Sequence, residues 1–372
     1  MITHSTVTGS RPSLVLPPAW QGQESASELA RLAAIGERAR TDYVELARAL
    51  DADVMDWQYF QDQATPIARA VARRAGFVPA QLVEGFLRRN RYRHVVAKAD
   101  RLGLPLAMLF KIARSRRDLA LISVWLSSPK KAVFLHPLDA HSHLKAIICA
   151  SSVQMRIAEE RLGVPSEKLH FALQPADERF WRPQDTPVED TICSVGSESR
   201  DYVTLIAAVR ELDVQTEVAV GSIVMRTGDV SADLSSAVRP LVARDLPAQV
   251  RVRQQLDNQE LRRLYARSRF VVVPLEDVEF DAGVTVIAEA MAMGKAVVVT
   301  RARGQRDLVR EGETGLHVPP RDPRALRAAI EYLLGDPAAA ERMGRAAREV
   351  VEAHLRLDQW VEKVVQAMGA AP

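Results

Sequence analysis

The chain has 372 residues, with 50 Lys and Arg against 47 Asp and Glu, so its formal net charge is only +3. This balance argues against nucleic acid as a partner. With 47% apolar residues, the chain can build the cores of two domains of ordinary size. No apolar run approaches the length of a membrane span and no signal peptide is recognisable, so we expect a cytoplasmic protein. Cys149 and Cys193 lie in apolar runs, where we expect small core residues and no disulfide or metal site.

The first half of the chain predicts helices mixed with short parallel strands. Residues 1–10 are polar and aperiodic, and we expect them to be disordered. A strand is predicted at 13–17, and a long helical pattern follows over residues 29–50. Residues 65–117 are mostly helical and strongly basic. Three short parallel strands are predicted after them, at 119–124, 132–135 and 146–149.

The second half begins after a linker-like segment at 182–191 and alternates regularly between strands and helices. Such alternation favours a parallel sheet covered on both faces. Two doubly wound domains joined by a linker place a ligand-binding cleft between the carboxyl ends of their sheets. The predicted elements are a strand at 191–195, a helix at 201–211, strands at 216–220 and 249–253, a helix at 258–266, a strand at 269–274, a helix at 284–293, a strand at 296–300, helices that begin after Asp322 and Asp336, and an amphipathic helix at 358–368.

The segment 270–300 carries the strongest chemical signal. A buried strand ends at Pro274, an acidic loop follows, and Gly283 precedes a helix that begins at Val284. The free backbone amides of the first helical turn and the helix dipole form an anion site that faces the cleft. Gly283 allows a ligand to approach the backbone closely, and Thr285 can add a hydroxyl. The natural guest of such a site is a diphosphate.

Glu289 lies between two alanines on the same, otherwise apolar helix. A buried carboxylate is costly unless it is hydrogen-bonded. One interpretation is that it binds the vicinal hydroxyls of a sugar, and the other is a structural glutamate bonded to nearby backbone amides. The adjacent anion site favours the ligand.

These residues resemble the donor-binding half of glycosyltransferase family 4. The resemblance rests on residues 283–300, Gly304 and residues 307–320, and extends over 191–344. It implies an α/β protein of the GT-B fold, in which two Rossmann-like domains face a central cleft. Residues 1–183 would bind the acceptor and residues 184–354 the nucleotide sugar, with a helix at 355–372 packing back on the first domain. It also implies a metal-independent, retaining enzyme without a bound cofactor, because the nucleotide sugar is a co-substrate.

The resemblance also assigns the two acids of the family's motif. Glu289 matches the acid that holds the ribose of the nucleotide. The first acid, which contacts the sugar, falls on Asp281, which is one methylene shorter than the usual glutamate. Glu279 or Asp277 could take this place if the loop is rearranged, so the resemblance does not identify the donor sugar.

A second match covers residues 194–205, where the family places a glycine, an arginine and a lysine at the diphosphate. Gly196 is kept, Ser197 replaces the arginine, and Arg200 stands where the lysine is expected after a two-residue shortening. An arginine can contact phosphate with two parallel hydrogen bonds. The alternative for Arg200 is a surface salt bridge with Asp201 or Glu198.

Other residues complete the site that the resemblance implies. Arg303 or Arg306 could supply the second cation, and Gly304 would lie near the donor. Because the leaving phosphate takes the acceptor proton in the proposed front-face mechanism, catalysis depends on positioning and charge stabilisation. Many relatives carry a histidine in the cleft, and His136, predicted to follow a strand directly, is the first choice here. His141 and His143 are further candidates, and a solvated loop histidine is the alternative for each of the three.

The run 86–117 contains ten Lys or Arg and only one acid, Asp100. It predicts either weak peripheral contact with an anionic membrane, at its inner face, or an ordinary solvated helical surface. Taken together, the sequence favours transfer of a hexosyl group from a UDP-, GDP- or TDP-sugar to an acceptor hydroxyl with retention. Two alternatives stay open: a sugar-nucleotide epimerase of the same fold, and a degenerate relative that binds a sugar nucleotide or a partner without turnover.

Overall fold

The computed structural model describes residues 12–220 and 246–370. The segment 1–10, which we expected to be disordered, lies outside these residues. Within them the chain forms two six-stranded parallel sheets. In the same part of the chain, no helix has the length and apolar character needed to cross a membrane.

The first domain alternates short strands with helices. Its strands are β1 (Ser13–Leu16), β2 (Ala52–Val54), β3 (His94–Ala97), β4 (Asp118–Ser123), β5 (Ala146–Cys149) and β6 (Leu169–Phe171). Its helices are α1 (Ala26–Ala34), α2 (Asp42–Ala49), α3 (Trp57–Asp62), α4 (Pro66–Ala75), α5 (Phe77–Arg88), α6 (Asp100–Ile112), α7 (Pro129–Leu135) and α8 (Ser152–Glu160). Short 3-10 helices lie at Arg89–Arg91, Ala140–His143 and Ser166–Lys168.

The second domain repeats the pattern with longer helices after its sheet. Its strands are β7 (Thr191–Val195), β8 (Gln215–Val220), β9 (Val250–Gln254), β10 (Val271–Val273), β11 (Val297–Thr300) and β12 (Gly315–Val318). Its helices are α9 (Tyr202–Val209), α10 (Asn258–Arg267), α11 (Val284–Ala292), α12 (Pro323–Gly335) and α13 (Pro337–His354), and they are followed by α14 (Leu357–Ala367).

The strand order places a topological switch point in each sheet. The first sheet has the order β2-β1-β3-β4-β5-β6, and the second has the order β12-β11-β10-β7-β8-β9. The direction of winding reverses between β1 and β3 and again between β10 and β7. Ligands of doubly wound sheets bind beside the carboxyl ends of strands at such points. The ends of β7 and β10 therefore mark the place where a site is expected.

Both faces of each sheet are buried, which explains the continuous apolar runs of the strands. Val271 and Val273 pack into the core on one face of the second sheet, and Val272 packs into the core on the other. The first sheet divides in the same way, with Leu14 on one face and Val15 on the other. Two doubly wound parallel domains, as predicted, are confirmed.

Several local predictions for the first domain are wrong. The segment 132–135, predicted as a strand, belongs to α7, which begins at Pro129 in the first helical position after Ser128. The helical pattern over 29–50 is divided into α1 and α2, because Gly36 adopts a left-handed φ of 73° and interrupts it. β2, β3 and β6 were not predicted, because each is only three or four residues long.

Helix α14 follows the second domain in sequence but packs into the core of the first. Leu357, Trp360 and Val364 are buried in the same cluster as Val15 and Ile148. The two sheets lie on either side of the predicted boundary at residue 183.

A buried ionic network anchors this return of the chain. The Arg40 guanidinium binds the Asp177 carboxylate at 2.8 Å and that of Asp358 at 2.6 Å, and the Asp177 carboxylate also accepts from the Arg40 backbone N–H. Asp177 lies in the segment between the two sheets, and Asp358 lies in α14. The network therefore joins the first domain, the crossover and α14.

We expect Asp177→Ala to lower the free energy of unfolding by about 3 kcal/mol, because it leaves the buried Arg40 guanidinium without its main partner. Urea denaturation followed by circular dichroism measures this change. Glu341→Ala, which removes an exposed i,i+4 pair with Arg345, is the control and leaves the transition unchanged. Equal stability of the Asp177 variant and the native chain would contradict the assignment.

Candidate active site

A cavity of about 330 Å³ lies between the carboxyl edges of the two sheets. The wall from the first domain follows the ends of β3, β4, β5 and β6, and the wall from the second domain follows β7 and the start of α11. The lining residues of the first wall are Lys98, Ile122, Ser123, Val124, Ala150, Ala172 and Gln174, with Trp360 from α14. Those of the second wall are Gly196, Ser197, Glu198, Arg200 and the segment 280–286.

The N-terminus of α11 faces this cavity. Gly283 is the N-cap, with a left-handed φ of 79° that favours glycine. The Val284 N–H donates to the Asp281 carbonyl at 3.2 Å. This amide is therefore engaged, although the sequence predicted that it would be free. The N–H groups of Thr285 and Val286 have no backbone acceptor among the residues described. These two amides and the helix dipole give the cavity a positive end.

Arg200 is buried beside this helix end. Its Nε and Nη1 donate to the carbonyls of Val195 and Glu198 at 3.0 and 2.8 Å. Burial lowers the pKa of the Arg200 guanidinium from its usual value. The predicted alternative of a surface salt bridge is wrong, because Arg200 is 4% exposed and the Asp201 carboxylate caps α9 through Thr204.

Gly196 is required by the position of Arg200. Its φ is 111°, and a β-carbon at this position would overlap the Arg200 guanidinium. A β-carbon at Gly283 would lie 3.6 Å from Nη1 of the same arginine. Gly196 therefore leaves the room that the guanidinium occupies between β7 and the start of α11, whereas the distance at Gly283 is that of an ordinary contact.

Asp281 lines the cavity with a carboxylate that is only partly satisfied. The residue is 5% exposed, and its Oδ1 has no hydrogen-bond partner among the residues described. Burial raises the pKa of the Asp281 carboxyl to about 7, and the nearby Asp307 and Asp100 act in the same direction. A buried, unpartnered acceptor at a cavity wall is suited to a ligand hydroxyl.

The other acids of the loop are directed elsewhere. Asp277 and Glu279 both pair with Arg303, at 3.2 and 3.4 Å. Of the three acids considered for the sugar, only Asp281 lines the cavity. Arg303 is thus engaged by the loop, and neither it nor Arg306 lines the cavity.

Gly304 is not a lining residue either. Its N–H donates to the Val278 carbonyl at 2.8 Å, and a β-carbon here would overlap the Phe280 carbonyl. The structure gives Gly304 a packing role behind the acidic loop.

Glu289 lies one turn further along α11 than Thr285. It is half-buried, and its carboxylate accepts a hydrogen bond of 3.1 Å from the Tyr265 hydroxyl. Burial raises the pKa of Glu289 to about 7, and the bond from Tyr265 acts in the opposite direction. The predicted structural alternative, bonding to backbone amides, does not describe this contact. The role of Glu289 toward a ribose stays a prediction.

The prediction that a histidine of the first domain lies in the cleft is wrong, because none of the three candidates lines the cavity. His136 follows helix α7, not a strand, is exposed, and is not among the residues that line the cavity. His141 pairs with Asp139 at 2.9 Å, and burial lowers the pKa of its imidazole. His143 contacts the hydroxyl of Ser142 at 3.1 Å. None of the three supplies a base to this cavity.

Sequence reasoning missed the wall from the first domain. Lys98 lines the cavity and pairs with Asp42 at 2.7 Å. Ser123 is 2% exposed, and its hydroxyl has no hydrogen-bond partner among the residues described. Both residues follow or end a buried strand, which is the signal that could have identified them.

Direct contacts between the domains close one side of the cavity. The Gln154 carboxamide accepts from the Leu126 N–H at 2.8 Å and donates to the Glu279 carbonyl at 2.8 Å. The Trp125 ring stacks on the Phe280 ring at 4.8 Å.

A third contact of this kind is made at the N-terminus of α8. The Asp307 carboxylate accepts from the backbone N–H and the hydroxyl of Ser152, at 2.9 and 2.6 Å. The first two contacts hold the loop that carries Asp281 against the first domain, and the third holds the segment that follows β11.

Comparison with known proteins assigns the second domain. Residues 200–350 match the profile of the family Glycosyl transferases group 1. The chain is 39% identical over 94 residues to a glycogen synthase of Mycobacterium tuberculosis, a match that covers 25% of this chain and 22% of the relative. It is 28% identical over 211 residues to an alpha-maltose-1-phosphate synthase of Mycolicibacterium smegmatis. This match covers 49% of this chain and 52% of the relative. The chain thus matches about half or less of the length of these curated relatives.

Solved structures show the same fold over almost the whole chain. A sucrose-phosphate synthase from Thermosynechococcus elongatus superposes with a TM-score of 0.71 at 18% identity and covers 96% of this chain and 98% of its own. Anabaena Alr3699/HepE in complex with UDP gives a TM-score of 0.66 at 17% identity, with coverage of 96% and 99%. The chain therefore has the GT-B fold, and its residues 200–350 are similar to the group 1 glycosyl transferases.

We expect Asp281→Asn to stabilise the fold in a pH-dependent way. The unfolded carboxyl ionises near its ordinary pKa, whereas the folded one keeps its proton to about pH 7. The native chain therefore loses stability as the pH rises between these two values, and the amide does not. Calorimetry should show that the free energy of unfolding of the Asn variant exceeds that of the native chain by on the order of 4 kcal/mol at about pH 8 and by little at about pH 4. Asp213→Asn, at an exposed position of the same domain, is the control, and a gain independent of pH would oppose the idea.

Proposed function

We propose that this protein is a retaining glycosyltransferase that moves a hexosyl group from a nucleotide-activated sugar to an acceptor hydroxyl. The observation that carries the proposal is the cavity wall itself. It combines the free amides of α11, the buried Arg200 guanidinium and the unpartnered Asp281 carboxylate. Anion donors and a hydroxyl acceptor side by side are what a sugar diphosphate requires.

The diphosphate would bind between Arg200 and the first turn of α11. Arg200 is held by two backbone carbonyls, so its position is set before a ligand arrives. A buried cation bound only to neutral acceptors is poorly compensated. A diphosphate would supply the missing negative charge, and the amides of Thr285 and Val286 would add two donors.

The sugar and the ribose would bind on opposite sides of the diphosphate. Asp281, before the helix, would accept from a hydroxyl of the sugar. Glu289, eight residues further along the chain, would accept hydrogen bonds from the ribose hydroxyls. It would also keep the hydrogen bond that it accepts from the Tyr265 hydroxyl. Because α11 rises about 1.5 Å per residue, its first two turns span the distance between the Asp281 and Glu289 carboxylates.

Transfer would need no side-chain base. The acceptor oxygen forms a bond to the anomeric carbon on the face from which the diphosphate leaves, and the bond between that carbon and the phosphate oxygen breaks. The acceptor proton passes to the departing phosphate oxygen. Arg200 and the helix dipole would stabilise the charge that develops on the leaving group. The acceptor would approach along Lys98 and Ser123 of the first wall.

The relatives support this reaction class. The matched group 1 domain contains Arg200, Asp281 and Glu289. The names glycogen synthase and alpha-maltose-1-phosphate synthase describe proteins that build sugar linkages. Anabaena HepE is solved in complex with UDP-glucose, which is the class of donor proposed here. Retention and metal independence rest on the resemblance alone.

A screen of sugar nucleotides by thermal shift identifies the donor, because a true ligand raises the melting temperature by mass action. NMR of that donor with the protein and a panel of sugar acceptors then follows the reaction. The expected product carries the anomeric configuration of the donor. An epimerised donor formed without acceptor would establish the epimerase instead. Donor binding with no transfer to any acceptor would establish a non-catalytic binder.

We expect Glu289→Ala to weaken binding of the nucleotide identified in this screen by about a hundredfold at pH 8, since two hydrogen bonds to a carboxylate are lost. Isothermal titration calorimetry measures the affinity. Tyr265→Phe is the matched control, because it removes the neighbouring hydroxyl and keeps the carboxylate, and it should bind within a few-fold of the native affinity. An unchanged affinity of the Glu289 variant would remove this residue from the site.

We expect Gly196→Ala to weaken the same binding by at least about tenfold, because the added β-carbon must displace the Arg200 guanidinium. The same titration measures it. Gly312→Ala separates this effect from backbone strain, since Gly312 also has a left-handed φ, of 72°, but has open space around it. Equal losses in both variants would mean that strain, and not Arg200, is responsible.

A further inference from the structure

Four arginines surround a second cavity of about 470 Å³ in the first domain. Arg89 comes from the short 3-10 helix after α5, and Arg114, Arg116 and Arg117 come from the loop after α6. We call these four residues the arginine surface. The remaining lining residues are Asn90, Ala113 and Ser115, so no acid contributes to this cavity.

Three other cations of the basic run have acidic partners. Arg88 pairs with Glu84 at 3.0 Å, Lys98 with Asp42 at 2.7 Å, and Lys111 with Asp139 at 3.1 Å. The four arginines make no ion pair with any residue of 12–220 or 246–370. Because the whole chain is nearly neutral, this is a local concentration of unpaired positive charge.

Two exposed apolar side chains lie two residues before arginines of this surface in the chain. Ile112, two residues before Arg114, is 75% exposed, the highest value among the exposed large apolar side chains of the described residues. Leu87, two residues before Arg89, is 42% exposed. A soluble polyanion would use the charge but not these side chains. An anionic bilayer uses both, since it has phosphates at the surface and acyl chains directly beneath.

The arginine surface lies far from the site described above. Arg117 immediately precedes β4, whereas the cavity between the domains begins where β4 ends, at Ser123. Arg89 likewise precedes β3. Six residues of strand span about 20 Å, so the two features occupy opposite edges of the first sheet. Whatever binds the arginine surface does not enter the cleft.

We propose that the arginine surface docks the protein on a bilayer that contains anionic phospholipid. The guanidinium groups bind lipid phosphates, and Ile112 and Leu87 enter the boundary between headgroups and acyl chains. The contact is a tether: it holds the first domain by the edge opposite the cleft and leaves the cleft open to the aqueous phase. The proposal does not depend on the reaction proposed for the cleft.

Co-sedimentation of the full chain with vesicles tests the tether. We expect binding to vesicles of phosphatidylglycerol and phosphatidylcholine and none to phosphatidylcholine alone. The triple variant Arg114→Glu, Arg116→Glu, Arg117→Glu should lower the partition coefficient by at least about a hundredfold, at about fivefold for each arginine removed. The triple variant Arg324→Glu, Arg342→Glu, Arg345→Glu carries the same change in net charge on exposed residues of the second domain, and it should keep at least about a tenth of native binding.

Two further measurements separate the sources of phosphate and the role of the apolar residues. Ile112→Ser should lower the partition coefficient by about tenfold, as expected for one large apolar side chain. Inorganic phosphate at millimolar concentration should not displace the protein from vesicles. Native binding by the arginine triple variant, or by Ile112→Ser, would overturn the proposal. So would displacement by inorganic phosphate, which would identify a site for the free anion. Affinity for a sugar nucleotide should be unchanged in all these variants, which keeps this test distinct from that of the cleft.

Discussion

The burial of one guanidinium group organises the second-domain wall of the cavity. Arg200 lies between the end of β7 and the start of α11, at the point where the second sheet reverses its winding. Two carbonyl oxygens fix it, and Gly196 leaves the room that it occupies. Water is largely excluded there, so the charge is expensive to keep and strongly felt by anything that enters the cavity. The helix dipole of α11 adds to the same field.

Two acids with perturbed pKa values lie in the same domain as this guanidinium, one before α11 and one on it. Asp281 and Glu289 both have a pKa raised to about 7, chiefly by burial. Neither carboxyl is satisfied as fully as a purely structural acid would be. Of the two, Asp281 lines the cavity and keeps an unpartnered oxygen there, which is the pattern of a site that trades stability for binding. The contacts between the domains then determine how firmly the Asp281 loop is held.

Much of this could be predicted from the sequence, for identifiable reasons. The second domain was predicted except for β12, because strands such as β10 and β11 are valine runs and helices begin at marked caps such as Asp322 and Asp336. The position of the N-terminus of α11 follows from Gly283 and the helix after it. The first domain was predicted less well, because strands of three or four residues carry little periodicity. The strand expected at 132–135 is apolar enough for either structure, and only Pro129 indicates the helix.

The geometry of the site could not be predicted in the same way. Sequence spacing does not show that Arg303 pairs with the acidic loop, and this pairing removes two of the three acids considered for the sugar. It does not show that His136 is exposed outside the cavity. Contacts such as Gln154 with Glu279 join residues 125 positions apart, and they arise only when the two sheets face each other. The same applies to Lys98 and Ser123, which come to face the second-domain wall of the cavity through the fold alone.

The return of α14 to the first domain bears on how the protein is made. Leu357, Trp360 and Val364 cover one face of a sheet whose strands all lie before residue 172. A ribosome releases these residues only after the entire second domain has been synthesised. Until then, one face of the first sheet lacks part of its apolar cover, while the second domain already has every strand that it needs. The domain that is synthesised first is therefore completed last. While the second domain is being synthesised, chaperones can bind the apolar surface that α14 will later cover.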